Sequence, residues 1–135
     1  MDWKECLNNK TAKEINIDAG LISSLIKTSN NKLQSQKKLY MDEVTANSKI
    51  SLAYDSLREL LEALAIKNGY KIYNHECYTS FLKEVIKNSN LGDEFDVIRK
   101  IRNDINYYGK EINIEEANYM LLKIINLRKI ILKFL

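Results

Sequence analysis

The sequence predicts an all-α fold: an up-and-down bundle of about five helices in a single domain covering residues 1–135. Three observations carry that expectation. The chain has no proline, so nothing stops a helix outright. Apolar residues recur at alternating spacings of three and four, the period of a helix that buries one face. Gly69, Gly92 and Gly109 fall where those apolar stripes end.

The elements follow in order. A first helix is expected over about residues 10–39, with Ile17, Leu21, Leu25 and Thr28 on one face and Ile22 and Ile26 beside them. Gly20 lies inside it, either as a cost or as a place where another helix comes close. Asp42 and Thr45 are candidate N-caps for the second helix. That helix has the clearest stripe: Ile50, Tyr54, Leu57, Leu61 and Leu64, with Ala53, Leu60 and Ala65 alongside. Asn68-Gly69 closes it, and Tyr70–Tyr73 reads as a connector. Asn74 can cap a third helix that turns Tyr78, Phe81, Leu82, Val85 and Ile86 inward. Residues 88–92 read as a loop, and Asp93 can cap a fourth helix running to about Tyr108. Asn113 can cap the fifth, which carries two apolar faces. Ile114, Ala117, Leu121, Ile124, Ile131 and Leu135 form one; Met120, Leu127, Ile130 and Phe134 form the other. That surplus implies a buried position or a homodimer contact.

Composition narrows the function classes. A net charge of +3 permits nucleic-acid contact without demanding it, because the lysines are spread along the chain. Cys6 and Cys77 have no metal-ligand spacing, so no zinc site, and no other metal or cofactor, is expected. The expected state of both is a free thiol in a cytoplasmic protein. No apolar leader opens the sequence, and no run reaches the ~18 apolar residues of a membrane span.

The chemistry-bearing segment is Arg102-Asn103-Asp104-Ile105-Asn106-Tyr107-Tyr108-Gly109. On a helical wheel Val97, Ile98, Ile101, Ile105 and Tyr108 share an arc, and Arg102 sits at its edge. Asn106 is four residues further along that edge, so both heads can meet one target. Asn103 and Tyr107 form a second such pair, turned further toward solvent. Together they offer donors for a phosphate and an aromatic surface for a base. The alternative is an ordinary helical interaction domain in which Arg102 only pairs with Asp96, Asp104 or Glu59.

The Arg102-Asn103 pair, with Tyr54–Leu64 and Gly69–Cys77, resembles the HEPN family, small helical domains associated with ribonuclease toxins and minimal nucleotidyltransferases. The resemblance spans most of the chain. It implies a cytoplasmic homodimer whose arginine motifs frame a shared cleft. It also implies RNA or nucleotide as ligand, a possible minimal nucleotidyltransferase partner, and no membrane. In active members arginine holds the scissile phosphate and a histidine assists proton transfer, without metal. Arg102 and Asn103 match the motif, but Tyr107 stands at the histidine position for a four-residue spacer, and Tyr108 or Gly109 for a longer one. A tyrosine, with an ordinary pKa of about 10, is a poor general base at pH 7. The expectation is therefore a non-catalytic or weakly catalytic module binding through Arg102, Asn103, Asn106, Tyr107 and Tyr108. The alternative is an active metal-independent ribonuclease in which Tyr107, or His75 from another helix, supplies the missing group.

Overall fold

The computed structural model describes all of residues 1–135 and is an all-α bundle with one two-stranded ribbon. In chain order the elements are α1 (Trp3–Asn8), β1 (Ala12–Glu14), α2 (Ala19–Lys38), α3 (Ala46–Lys67), β2 (Tyr70–Ile72), α4 (Glu76–Ser80), α5 (Ser89–Tyr107) and α6 (Ile114–Leu132). A π-helical turn, Phe81–Val85, continues α4. No helix is long and apolar enough to cross a membrane.

Helix α3 is the centre of the bundle. Its expected stripe is buried, and so are residues on its flanks, including Ala63 and Ile66. A helix apolar on most sides must be covered on most sides. Helix α2 packs along one side and α6 along another, with α5 closing the end that carries Tyr54. Both apolar faces of α6 contribute to the core through Ala117, Met120, Leu121, Ile124, Leu127 and Ile131. Its surplus is thus largely met by an interior position. Asn113 caps α6 as expected, accepting from the Glu116 N–H at 2.8 Å.

Four expectations are corrected. First, residues 10–39 are not one helix: α1 and β1 precede α2, and Gly20 lies in the first turn of α2. Strand β1 pairs antiparallel with β2, Ala12 opposite Ile72 and Glu14 opposite Tyr70, so the Tyr70–Tyr73 connector is largely a strand. Second, α2 turns a different face inward. Ile17 and Leu21 are exposed, and the buried positions are Ser29, Leu33 and Gln36. Ser29 on that face is held by specific bonds: it donates to the Ser56 carbonyl, and the buried Arg128 donates to Ser29 and Asn30, whereas the buried Gln36 Oε1 has no partner. Third, Asn88 rather than Asp93 caps α5, accepting from the Leu91 N–H at 3.2 Å. Gly92 therefore sits inside α5 rather than at a helix end. A Cβ there would lie 2.5 Å from Lys83 Cγ, so the glycine allows a close approach. Fourth, the cysteines are not free: Cys6 and Cys77 form a disulfide between α1 and α4. The β1–β2 pairing brings those helices together, a contact with no local trace in the sequence.

Candidate phosphate-binding cleft

The site is built where three segments meet. Strand β2 delivers Tyr73, Asn74 and His75 to the start of α4. There Asn74 Oδ1 accepts from the Glu76 N–H at 2.9 Å and fixes the turn. Helix α5 supplies one edge: Arg99, Arg102, Asn103 and Tyr107, spaced by three, one and four. The segment after α1 supplies Lys10 and Thr11, clamped by the Tyr73 N–H donating to the Thr11 carbonyl at 2.7 Å. These residues and Glu76 enclose an open cleft of about 500 Å³.

Tyr54, fully buried on α3, does not line the cleft itself but supports two residues that do, Arg102 and His75. The guanidinium carbon of Arg102 lies 5.0 Å from the centre of its ring, within cation–π range. The Tyr54 hydroxyl lies 3.1 Å from His75 Nδ1. Beneath, the Phe95 ring stacks on Tyr54 with centroids 6.2 Å apart, and Tyr78 meets Phe95 edge-on. One buried aromatic thus links the motif arginine to the chain's single histidine.

Arg102 is held from the side as well. With the Asn106 Oδ1 turned toward it, Arg102 donates from Nε at 3.0 Å and from Nη2 at 3.1 Å. The i,i+4 meeting expected from the sequence is present, and it orients the fork while leaving other N–H groups for a ligand. Arg102 forms no ion pair with Asp96, Asp104 or Glu59. Asp96 is taken by Arg99 and Lys100, and Glu59 by Lys32. A half-buried guanidinium without a carboxylate is a stronger anion receptor than one already neutralised.

Electrostatics favour anions. Lys10, Arg99 and Arg102 line the cleft with one carboxylate, Glu76, which itself pairs with the amino terminus at 3.4 Å, while Arg99 is paired with Asp96 at 2.8 Å, so Lys10 and Arg102 are the uncommitted cations. Burial, with the nearby Arg58 and Arg102 charges, holds the His75 pKa below the usual histidine value, so the ring is neutral at pH 7. Burial pushes the Tyr54 hydroxyl up to about 12, so it stays protonated.

The structure therefore brings together Arg102, Asn103, Tyr107 and His75, and places Asn106 behind Arg102. Tyr108 is not among the residues that line the cleft; it caps α5 and is 81% exposed, and Val97 also faces solvent rather than the core. Both lie at the margin of the arc read from the helical wheel, beyond the reach of the residues packed on α5. Sequence reasoning missed Arg99, Tyr73, Lys10, Thr11 and the supporting residue Tyr54. Arg99 was detectable, one turn before Arg102 on the same edge. Lys10 and Thr11 reach the cleft only through the long-range strand pairing. Compared with family models, with curated proteins and with solved structures, the chain matches none.

Proposed function

We propose that this protein is a HEPN-like module, cytoplasmic and homodimeric, that binds single-stranded RNA or a nucleotide in the Arg102 cleft, alone or beside a minimal nucleotidyltransferase. The observation that carries the reading is the unpaired Arg102 guanidinium, seated on the Tyr54 ring and flanked by Arg99, Lys10 and Tyr107. Arg102 is suited to a phosphate oxygen, with Asn103 adding an amide donor. The exposed Tyr107 ring, and Tyr73 on the opposite segment, offer flat faces to a base. Duplex RNA hides its base faces, so a stacking site favours single strands. The test is equilibrium binding of a fluorescein-labelled single-stranded RNA. Arg102→Ala is expected to weaken it by about tenfold or more, since a charge-assisted hydrogen bond is worth about 1.5–3 kcal/mol. Equal affinities for the two proteins would refute the assignment.

One observation favours a second reading, the metal-independent ribonuclease. His75 lines the same cleft as Arg102 and is neutral at pH 7. In the tautomer that donates Nδ1–H to Tyr54, Nε2 is a free base. It can take the proton of a ribose 2′-hydroxyl while the 2′-oxygen attacks phosphorus. The bond from phosphorus to the 5′-oxygen then breaks, and that oxygen leaves as a hydroxyl with a proton from water. Arg102 would stabilise the charge on the phosphoryl oxygens. This reading expects RNA cleavage in EDTA that falls by about 10²-fold or more in His75→Ala. It is rejected if wild type cleaves no RNA, or cleaves equally well without His75.

A further inference from the structure

The Cys6–Cys77 bridge spans the cleft's supports. Both sulfurs are fully buried, and neither belongs to the site described above. Each end nevertheless abuts one wall. On the first side, Thr11 donates to the Cys6 carbonyl from its N–H at 3.0 Å and from its hydroxyl at 3.1 Å. The same hydroxyl lies 3.3 Å from Cys77 Sγ. On the second side, the Cys77 N–H donates to the Asn74 carbonyl at 2.9 Å, next to His75. The bridge therefore ties the Lys10–Thr11 wall to the His75 wall.

The tied segment is intrinsically weak. Helix α1 has six residues, too few to be helical alone. Lys10 sits at φ 59°, a left-handed conformation that a residue with a Cβ resists. Apart from the bridge, this segment is held by Trp3 packed on Tyr70 and Phe81, a three-residue ladder, the amino terminus paired with Glu76, and hydrogen bonds such as Tyr73 N–H to the Thr11 carbonyl and Trp3 N–H to Glu84, both at 2.7 Å. In a reducing cytoplasm a disulfide is more often a sensor than a permanent staple.

We propose that the Cys6–Cys77 disulfide is a redox latch on the phosphate-binding cleft, closed when oxidised and released by a dithiol reductant. This rests on the RNA-binding reading of that cleft. When α1 lifts, a thiolate of the dithiol attacks one sulfur, forming a mixed disulfide and expelling the other cysteine as a thiolate. The second thiol of the reductant then displaces the bound cysteine. Two electrons and two protons pass to Cys6 and Cys77, and the dithiol becomes a disulfide. With the tie gone, Lys10 and Thr11 separate from His75 and the cleft loses one of its cations.

The experiment uses the full chain purified without reductant, then treated with dithiothreitol. Thiol alkylation read by mass spectrometry establishes each redox state. Binding of the fluorescein-labelled single-stranded RNA and hydrogen exchange are measured on both, with Cys6→Ser/Cys77→Ser as a second open form. The reduced protein and the double variant are expected to bind at least about fivefold more weakly, a coupling at the low end of typical allosteric effects. Amides of residues 9–11 and 73–77 are expected to lose protection while those of α3 keep it. Free thiols in the untreated protein, or unchanged protection of those segments on reduction, would overturn the latch. Global melting on reduction would overturn it too, making the bridge a staple of the whole fold. If the oxidised protein shows no Arg102-dependent RNA binding, the cleft assignment fails instead, and hydrogen exchange alone still decides whether the latch opens.

Discussion

Tyr54→Ala is expected to destabilise the protein by about 3–5 kcal/mol, the cost of truncating a large buried aromatic. Tyr54 is fully buried, stacks on Phe95, and lies within cation–π range of Arg102. Its removal opens a cavity beneath the cleft and takes away the surface that positions the guanidinium. Tyr54→Phe separates the ring from the hydroxyl. It keeps the cation–π face and the packing, and loses the hydrogen bond to His75 Nδ1. A cost of about 1 kcal/mol is expected for that variant, with RNA binding retained. Urea denaturation of both variants measures the difference. A Tyr54→Ala protein as stable as wild type would show that this ring is not part of the core.

Opening the disulfide is expected to lower the unfolding free energy by about 4 kcal/mol in the chain-entropy account, because the bridge closes a long loop. The two cysteines are 71 residues apart, more than half of the chain. Most of this effect acts on the unfolded ensemble, where the tie removes conformations. The core cluster of 28 buried residues includes Trp3, Cys6, Ala12 and Cys77 of the bridged segments, and the remainder, centred on α3, keeps the reduced protein folded. Urea titrations with and without dithiothreitol measure the shift, and Cys6→Ser/Cys77→Ser isolates it from other reductant effects. An unchanged midpoint would mean that the bridge neither constrains the unfolded chain nor supports the native one.

What could be read from the sequence divides by range. Helices α3 and α6 were legible because their apolar spacing is regular and their caps are local: Asn68 ends α3, and Asn113 starts α6. The Arg102–Asn106 bond was legible for the same reason, since residues four apart on a helix meet. The inward face of α2 was not, because Ser29 and Gln36 occupy buried positions where a stripe would show apolar residues. The ribbon was not, because its two three-residue strands pair across an intervening helical hairpin. That pairing brings His75 and the Lys10 segment to α5, so half of the cleft was invisible beside a fully visible arginine motif.

The most direct test of the proposal that the Arg102 cleft binds RNA compares two single-cation removals of equal charge. Labelled single-stranded RNA is titrated with Arg102→Ala and with Lys129→Ala, an exposed cation on α6, at one fixed salt concentration. Binding through the cleft predicts about tenfold or greater loss for Arg102→Ala and little change for Lys129→Ala. Equal losses would mean that RNA is held by diffuse positive charge, and the Arg102 cleft would have no special part in it.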